Sequence, residues 1–306
     1  MGNNSNDDND DDYTNDNSSK VITNGKTGIQ MNVRVVGRLG EFKDYDDYID
    51  NWCSPTWKPV FESLRSELKH AWNMINMPGN RGTDDCPFYP PLQQVFRCFD
   101  LTPLPTIKVV ILGQDPYPGT DSGAPQACGL SFSVRKGMKI PSSLKNVFTE
   151  LVKQYTQLQN AANAANDINN ANNVSNGLKT GIVTPTHGDL TSWAKQGVLL
   201  LNTALTCKPS TEGSHIKFYR GFIDKTIRAI VKANPNCIFL LWGAKAQAAV
   251  PDSIQNVRFK CTHPSGISYA DTRPECGTFK DNKHFLLTNQ QLQKMGMEPI
   301  NWLHLE

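Results

Sequence analysis

The chain has 306 residues, enough for one large domain or two small ones, and its 38% hydrophobic and 20% charged residues are compatible with a packed core. The net charge of +2 hides an asymmetry: residues 1–19 carry six Asp and no basic side chain, residues 20–50 balance, and residues 51–306 therefore hold +8. A basic body behind an acidic tail points to a polyanionic partner, while no apolar run is long enough to cross a bilayer and no basic-then-apolar leader opens the chain.

In chain order, residues 1–30 are rich in Asn, Asp, Ser and Gly and cannot offset the entropy of ordering, so disorder is expected at the start of an acidic, Asn-rich extension spanning 1–50. The globular domain is expected over 51–306. Residues 57–73 predict a helix with Val60, Phe61, Leu64 and Leu68 on one face. Residues 107–112 (IKVVIL) read as a buried strand. Residues 141–154 predict a helix that starts at Pro141 and buries Leu144, Val147, Phe148 and Leu151. An Asn/Ala-rich stretch at about 157–180 reads as a surface insertion. Residues 198–201, 237–242 and 257–262 predict three more strands, and 218–232 a helix facing Phe218, Phe222, Ile227 and Val231 inward. A last helix is expected from Thr288, as N-cap, to Met295. The eight cysteines form no Cys-x-x-Cys pair and no Cys/His cluster at zinc-ligand spacing, so free thiols and no metal are expected.

Uninterrupted apolar strands alternating with helices predict an α/β protein: a single three-layer α/β/α domain with a central, mostly parallel four-stranded sheet. In such sheets ligands sit beyond the C-terminal strand ends. The residues at those ends are Gly113 to Pro118, Asn202 and Thr203, Gly243 and Ala244, and His263 to Gly266. One crevice would thus collect a carboxylate, an amide and an imidazole, a set suited to hydrolysis of a polar substrate.

Five segments carry a closer likeness: GQDPYP (113–118), GLSFSV (129–134), WAKQGVLLLN (193–202), LLWG (240–243) and HPS (263–265). In this order and spacing they resemble uracil-DNA glycosylase of family 1, over about residues 52–306. The resemblance implies hydrolysis of the N-glycosidic bond of uracil in single- or double-stranded DNA, giving free uracil and an abasic site and initiating base excision repair. It implies no cofactor, a monomer, and an intracellular place of action (nucleus or mitochondrion if cellular, host cell or virion if viral).

The resemblance also implies roles. Asp115 would serve the attacking water and the positive charge growing on the sugar, and His263, as a neutral donor, would bond uracil O2. Asn202 would read the Watson–Crick edge, Phe132 would stack on the base, Tyr117 would fill the space of a thymine methyl, and Gln114 would add pocket hydrogen bonds. Pro141, Ser142, Ser143, Gly243, Ala244, Ser265 and Gly266 would grip phosphates, and Ile267 would wedge into the hole left by the flipped nucleotide.

Four departures stand out from the common pattern. Pro118 replaces a His that helps hold the water, residues 119–126 are lengthened, Ala244 replaces Ser, and Ile267 replaces Leu. The Pro118 form is similar to viral members, and slower turnover is expected from it. An alternative reading follows from the same departures: a DNA-binding accessory of a replication complex with weak glycosylase activity, whose partners would be replication or repair proteins.

Overall fold

In the computed structural model, which describes residues 19–23, 30–34, 42–169, 182–272 and 275–305, the four expected strands join in one sheet. They are β1 (Val109–Gly113), β2 (Val198–Asn202), β3 (Ile238–Trp242) and β4 (Arg258–Cys261), in spatial order β2-β1-β3-β4 with every pair parallel. Every residue of β1, β2 and β3 is buried, which is why these runs are apolar without alternation. β4 differs from that expectation. Only Cys261 is fully buried, because β4 is an edge strand whose Arg258 and Lys260 reach solvent. The other edge is closed by a loop: the Ser131 N–H donates to the Leu200 carbonyl at 3.0 Å.

Helices flank this sheet. The single helix expected over 57–73 is two, α1 (Lys58–Ser63) and α2 (Arg65–Ile75), broken where Leu64 leaves the helical basin at φ −110°, ψ 13°. The apolar stripe runs through that residue, so periodicity does not register the break. α3 (Ser142–Asn169) extends well past the expected end at 154, so the first part of the Asn/Ala-rich segment is helical rather than a loop, and 170–181 lie outside the described residues. Ala is the best helix former, which favours this continuation. α4 (Ile216–Ala233) packs on α2, and α5 (His284–Lys294) on α3. α5 starts one turn before the expected N-cap. Thr288 is buried inside it, and Asn282 instead accepts the His284 N–H at 2.9 Å.

The globular core begins before residue 51. Phe42, Tyr45, Tyr48 and Ile49, assigned from sequence to the N-terminal extension, are buried in the same cluster as the sheet. Their helical spacing is masked in the sequence by the Asp residues between them. Phe96 is the hub of this corner: its ring centroid lies 4.1 Å from Tyr48 (stacked), 4.9 Å from Tyr45 and 5.5 Å from Phe61. Most of the segment expected to be disordered lies outside the described residues; within it, Ser19–Thr23 pairs antiparallel with residues Gln30–Arg34. The lengthened stretch 119–126 forms a small antiparallel ladder between Thr120–Asp121 and Ala124–Pro125. All eight cysteines are unpaired thiols.

Truncating the aromatic hub should cost much of the stability. Phe96→Ala is expected to lower the unfolding free energy by about 3–5 kcal/mol, read as a lower urea midpoint at unchanged slope.

Candidate active site

Strand order reverses around β1: the chain passes to one side for β2 and then to the other for β3 and β4. The crevice of such a sheet opens at that switch point, and Asp115 follows β1 directly. At the end of the ladder Gly113 pairs with Asn202. A Cβ on Gly113 would stand 2.2 Å from Asn202 Oδ1 and 2.9 Å from Ser131 Cβ, so the glycine is what lets the amide lie across the sheet end. Thr203 N–H donates to the Gly113 carbonyl at 2.9 Å and Ala204 N–H to that of Gln114 at 3.2 Å, which continues the pairing past the strands. Asn202 is only 8% exposed, yet no hydrogen bond engages its side chain among the described residues. Its polar atoms are not among those sealed from solvent without a partner, so the amide is accessible at the sheet end.

Asp115 is held at both oxygens. Oδ1 accepts from Gln114 Nε2 at 3.1 Å, and Oδ2 from the Gly213 N–H. Burial still disfavours its charge and raises its pKa to about 6, helped by the nearby Glu212 carboxylate and opposed by the hydrogen bonds and by Lys245. Glu212 was not foreseen from sequence. It lies in the loop after β2 and accepts from the same Gln114 Nε2 at 2.9 Å, a contact that no spacing within the motifs reveals.

His263 follows β4, past Thr262. A Cβ on Gly243 would come within 3.0 Å of its Cβ and 3.3 Å of its Cδ2, and Gly243 sits at φ +96°, so this glycine makes room for the ring. The Ser265 N–H donates to His263 Nδ1 at 3.2 Å, and Ser265 Oγ lies 2.7 Å from the same atom. A backbone N–H can only donate, so Nδ1 is an acceptor and the ring proton of the neutral form resides on Nε2. Burial lowers the His263 pKa, which keeps the imidazole neutral.

Phe132 completes the pocket. Its ring lies 5.8 Å from that of His263 at an interplanar angle of 30°, and edge-to-face with Trp242 at 5.5 Å. Its backbone sits at φ +64°, a basin costing a bulky residue about 1–3 kcal/mol. Two serines hold it there. Ser131 bonds β2 through its N–H and the Ile111 carbonyl through Oγ at 3.3 Å, and Ser133 Oγ donates to the Gly188 carbonyl at 3.2 Å while accepting the Leu190 N–H at 3.0 Å. These serines too were missed, because Ser in a loop carries no distinctive pattern. Tyr117 lies beside Phe132: its hydroxyl donates to the Phe132 carbonyl at 3.1 Å and sits 3.0 Å from Ser143 Oγ.

Around this pocket the outer loops are tied to one another. Asn146 in α3 donates to the Pro264 carbonyl at 2.6 Å, joining the turn at Pro141, Ser142 and Ser143 to the one at Ser265, Gly266 and Ile267. Ser142, Ala244 and Gly266 are exposed, while Ser143 and Gly243 are buried. Ile267 is 91% exposed, the most exposed of the large apolar side chains on the described surface.

An α/β sheet whose strand ends carry a carboxylate, an amide and a neutral imidazole, with an aromatic ring beside the imidazole, has the groups that a hydrolase of a polar substrate needs. The relatives agree. A family model described as the uracil DNA glycosylase superfamily matches residues 99–293. A uracil-DNA glycosylase of Campylobacter concisus is 40% identical over 252 residues, covering 81% of this chain and 93% of that protein. One from Escherichia coli K12 is 37% identical over 251 residues, covering 81% and 94%. The crystal structure of mimivirus uracil-DNA glycosylase superposes with a TM-score of 0.65 at 27% identity, covering 81% of this chain and 86% of that one. The chain belongs to the uracil-DNA glycosylase superfamily.

The tight contact between β1 and β2 gives a test of the site's assembly. Gly113→Ala is expected to push the Asn202 amide aside and lower single-turnover activity on uracil-containing DNA by roughly 100-fold, with the circular-dichroism spectrum preserved.

Proposed function

We propose that the protein hydrolyses the bond joining uracil to deoxyribose in DNA, releasing free uracil and leaving an abasic site, the first step of base excision repair. The observation that carries this reading is the Phe132 ring set beside His263, whose proton is on Nε2, with the Asn202 amide lying across Gly113 at the same sheet end. An everted uracil would lie on Phe132. Asn202 would accept from N3–H and donate to O4, a pattern cytosine cannot match, worth about 1–3 kcal/mol or more of discrimination. Tyr117, pinned by two hydrogen bonds, would occupy the space of a thymine methyl.

The bond breaks with its electron pair leaving on uracil, and negative charge gathers at O2, where the His263 donor bond strengthens. The sugar becomes oxocarbenium-like. Ionised Asp115 stabilises it and accepts a proton from the water whose oxygen joins C1′. Around the reaction, Ile267 would fill the vacated base position, burying a side chain whose transfer from water favours the flipped state by about 1.5–3 kcal/mol. Pro141, Ser142, Ser143, Gly243, Ala244, Ser265 and Gly266 would border the phosphate track. Since the hydroxyls of Ser143 and Ser265 already engage Tyr117 and His263, and the N–H groups of Ser265 and Gly243 are spent on His263 and the Cys261 carbonyl, the backbone N–H groups of Ser142, Ser143, Ala244 and Gly266 would carry more of that contact.

Incubation with a uracil-containing oligonucleotide in EDTA should release uracil and leave the strand intact. Asp115→Asn with His263→Ala should reduce release by at least about 100-fold, and full activity in that double variant would overturn the reading. Because Asp115 must be ionised, the rate should decline as pH falls through about 6; His263, shifted downward by burial, should not add a limb above that. Tyr117→Ala should gain thymine release, measured on thymine-containing DNA.

A further inference from the structure

Gln114 donates from one nitrogen to two carboxylates: Nε2 lies 3.1 Å from Asp115 Oδ1 and 2.9 Å from Glu212 Oε1. Each acceptor can take one of the two amide hydrogens, so the contacts do not compete. The residue after Glu212 closes the arrangement, since the Gly213 N–H donates to the other Asp115 oxygen. The Glu212–Gly213 pair therefore grips Asp115 twice, once through the backbone and once through Gln114. The loop that carries it is anchored nearby: His215 is fully buried, with Nδ1 2.9 Å from Thr206 Oγ1 and Nε2 donating to the Asn80 carbonyl at 2.8 Å.

We propose that Glu212 is a positioning residue of the reaction centre, fixing the Gln114 amide against Asp115 and placing a second negative charge beside the sugar site. The assignment rests on the role given above to Asp115. Its reason is chemical. A carboxylate that must take a proton from water, next to an oxocarbenium-like sugar, gains basicity and cation stabilisation from a like charge held one amide away. The other groups facing this centre are Lys245 from the short helix after β3, His263 after β4, and the Cys207 thiol. Lys245 opposes the effect at Asp115, Glu212 acts in the same sense on His263, and both carboxylates help burial hold the Cys207 thiol neutral.

Glu212→Gln tests this without disturbing packing, because the side chain is exposed and Gln can still accept from Gln114. Single-turnover rates at saturating uracil-containing DNA would be measured from pH 5 to 8. The acid limb should move to lower pH, and the plateau should fall roughly three- to tenfold. Glu212→Ala, which also frees the Gln114 amide, should show the same shift of the limb with a larger fall of the plateau. A Glu212→Gln profile that superimposes on that of the unaltered protein would overturn the assignment. Asp115→Asn in the same assay separates the two levels: if it keeps the rate, the role of Asp115 fails, whereas if it abolishes the rate while Glu212→Gln changes nothing, only the role of Glu212 fails.

Discussion

The site depends on one steric fact, the missing side chain at Gly113. β1 and β2 can pair to their last residues only because nothing at Gly113 stands where the Asn202 amide lies, and any Cβ there would overlap Asn202 Oδ1 at 2.2 Å. Pairing carried past the strands, through Thr203 and Ala204, then sets Gln114 and Asp115 against the loop that begins at Asn202. The backbone segments that carry the carboxylate and the amide are thereby fixed relative to each other by backbone hydrogen bonds.

Burial then acts on the two titrating groups in opposite directions with the same consequence. It raises Asp115 to about 6 and lowers His263, since in each case the charged form loses its hydration. Near neutral pH Asp115 is still predominantly ionised, while His263 is uncharged and holds its proton on Nε2. Hydrogen bonds that keep Asp115 ionised against its burial, and burial that keeps His263 uncharged, thus set an anion beside the growing sugar cation and a neutral donor beside the growing base anion. The hydrogen bonds to Asp115 from Gly213 and Gln114 limit the upward shift and keep the carboxylate usable.

The aromatic floor is maintained against a cost. Phe132 at φ +64° is an unfavourable conformation for a bulky side chain, offset by the hydrogen bonds of Ser131 and Ser133 and by the edge of Trp242. Ser143 and Ser265 carry similar supporting duties for Tyr117 and His263. The motifs are therefore composed of reacting side chains interleaved with small polar residues that hold them, and the tie between Asn146 and the Pro264 carbonyl links the outer turns into one surface.

Most of the fold and the principal site residues were legible in the chain. Apolar runs at β1, β2 and β3 specify buried parallel strands, because a strand covered on both faces has no polar alternation to confuse it, and residues just past such strands must meet at one sheet edge. That local logic brings Asp115, Asn202 and His263 together without coordinates. It fails where neighbours distant in sequence decide the outcome: the break at Leu64, the start of α5 before Thr288, and the burial of Tyr45 and Tyr48 among acidic residues around Phe96. It fails again for Glu212, an ordinary exposed acid until the loop after β2 folds against Gln114. Periodicity and turn chemistry are properties of a few adjacent residues and can be read from the chain, whereas the pairing of a side chain with one from another loop exists only once the tertiary structure has set the distance between them.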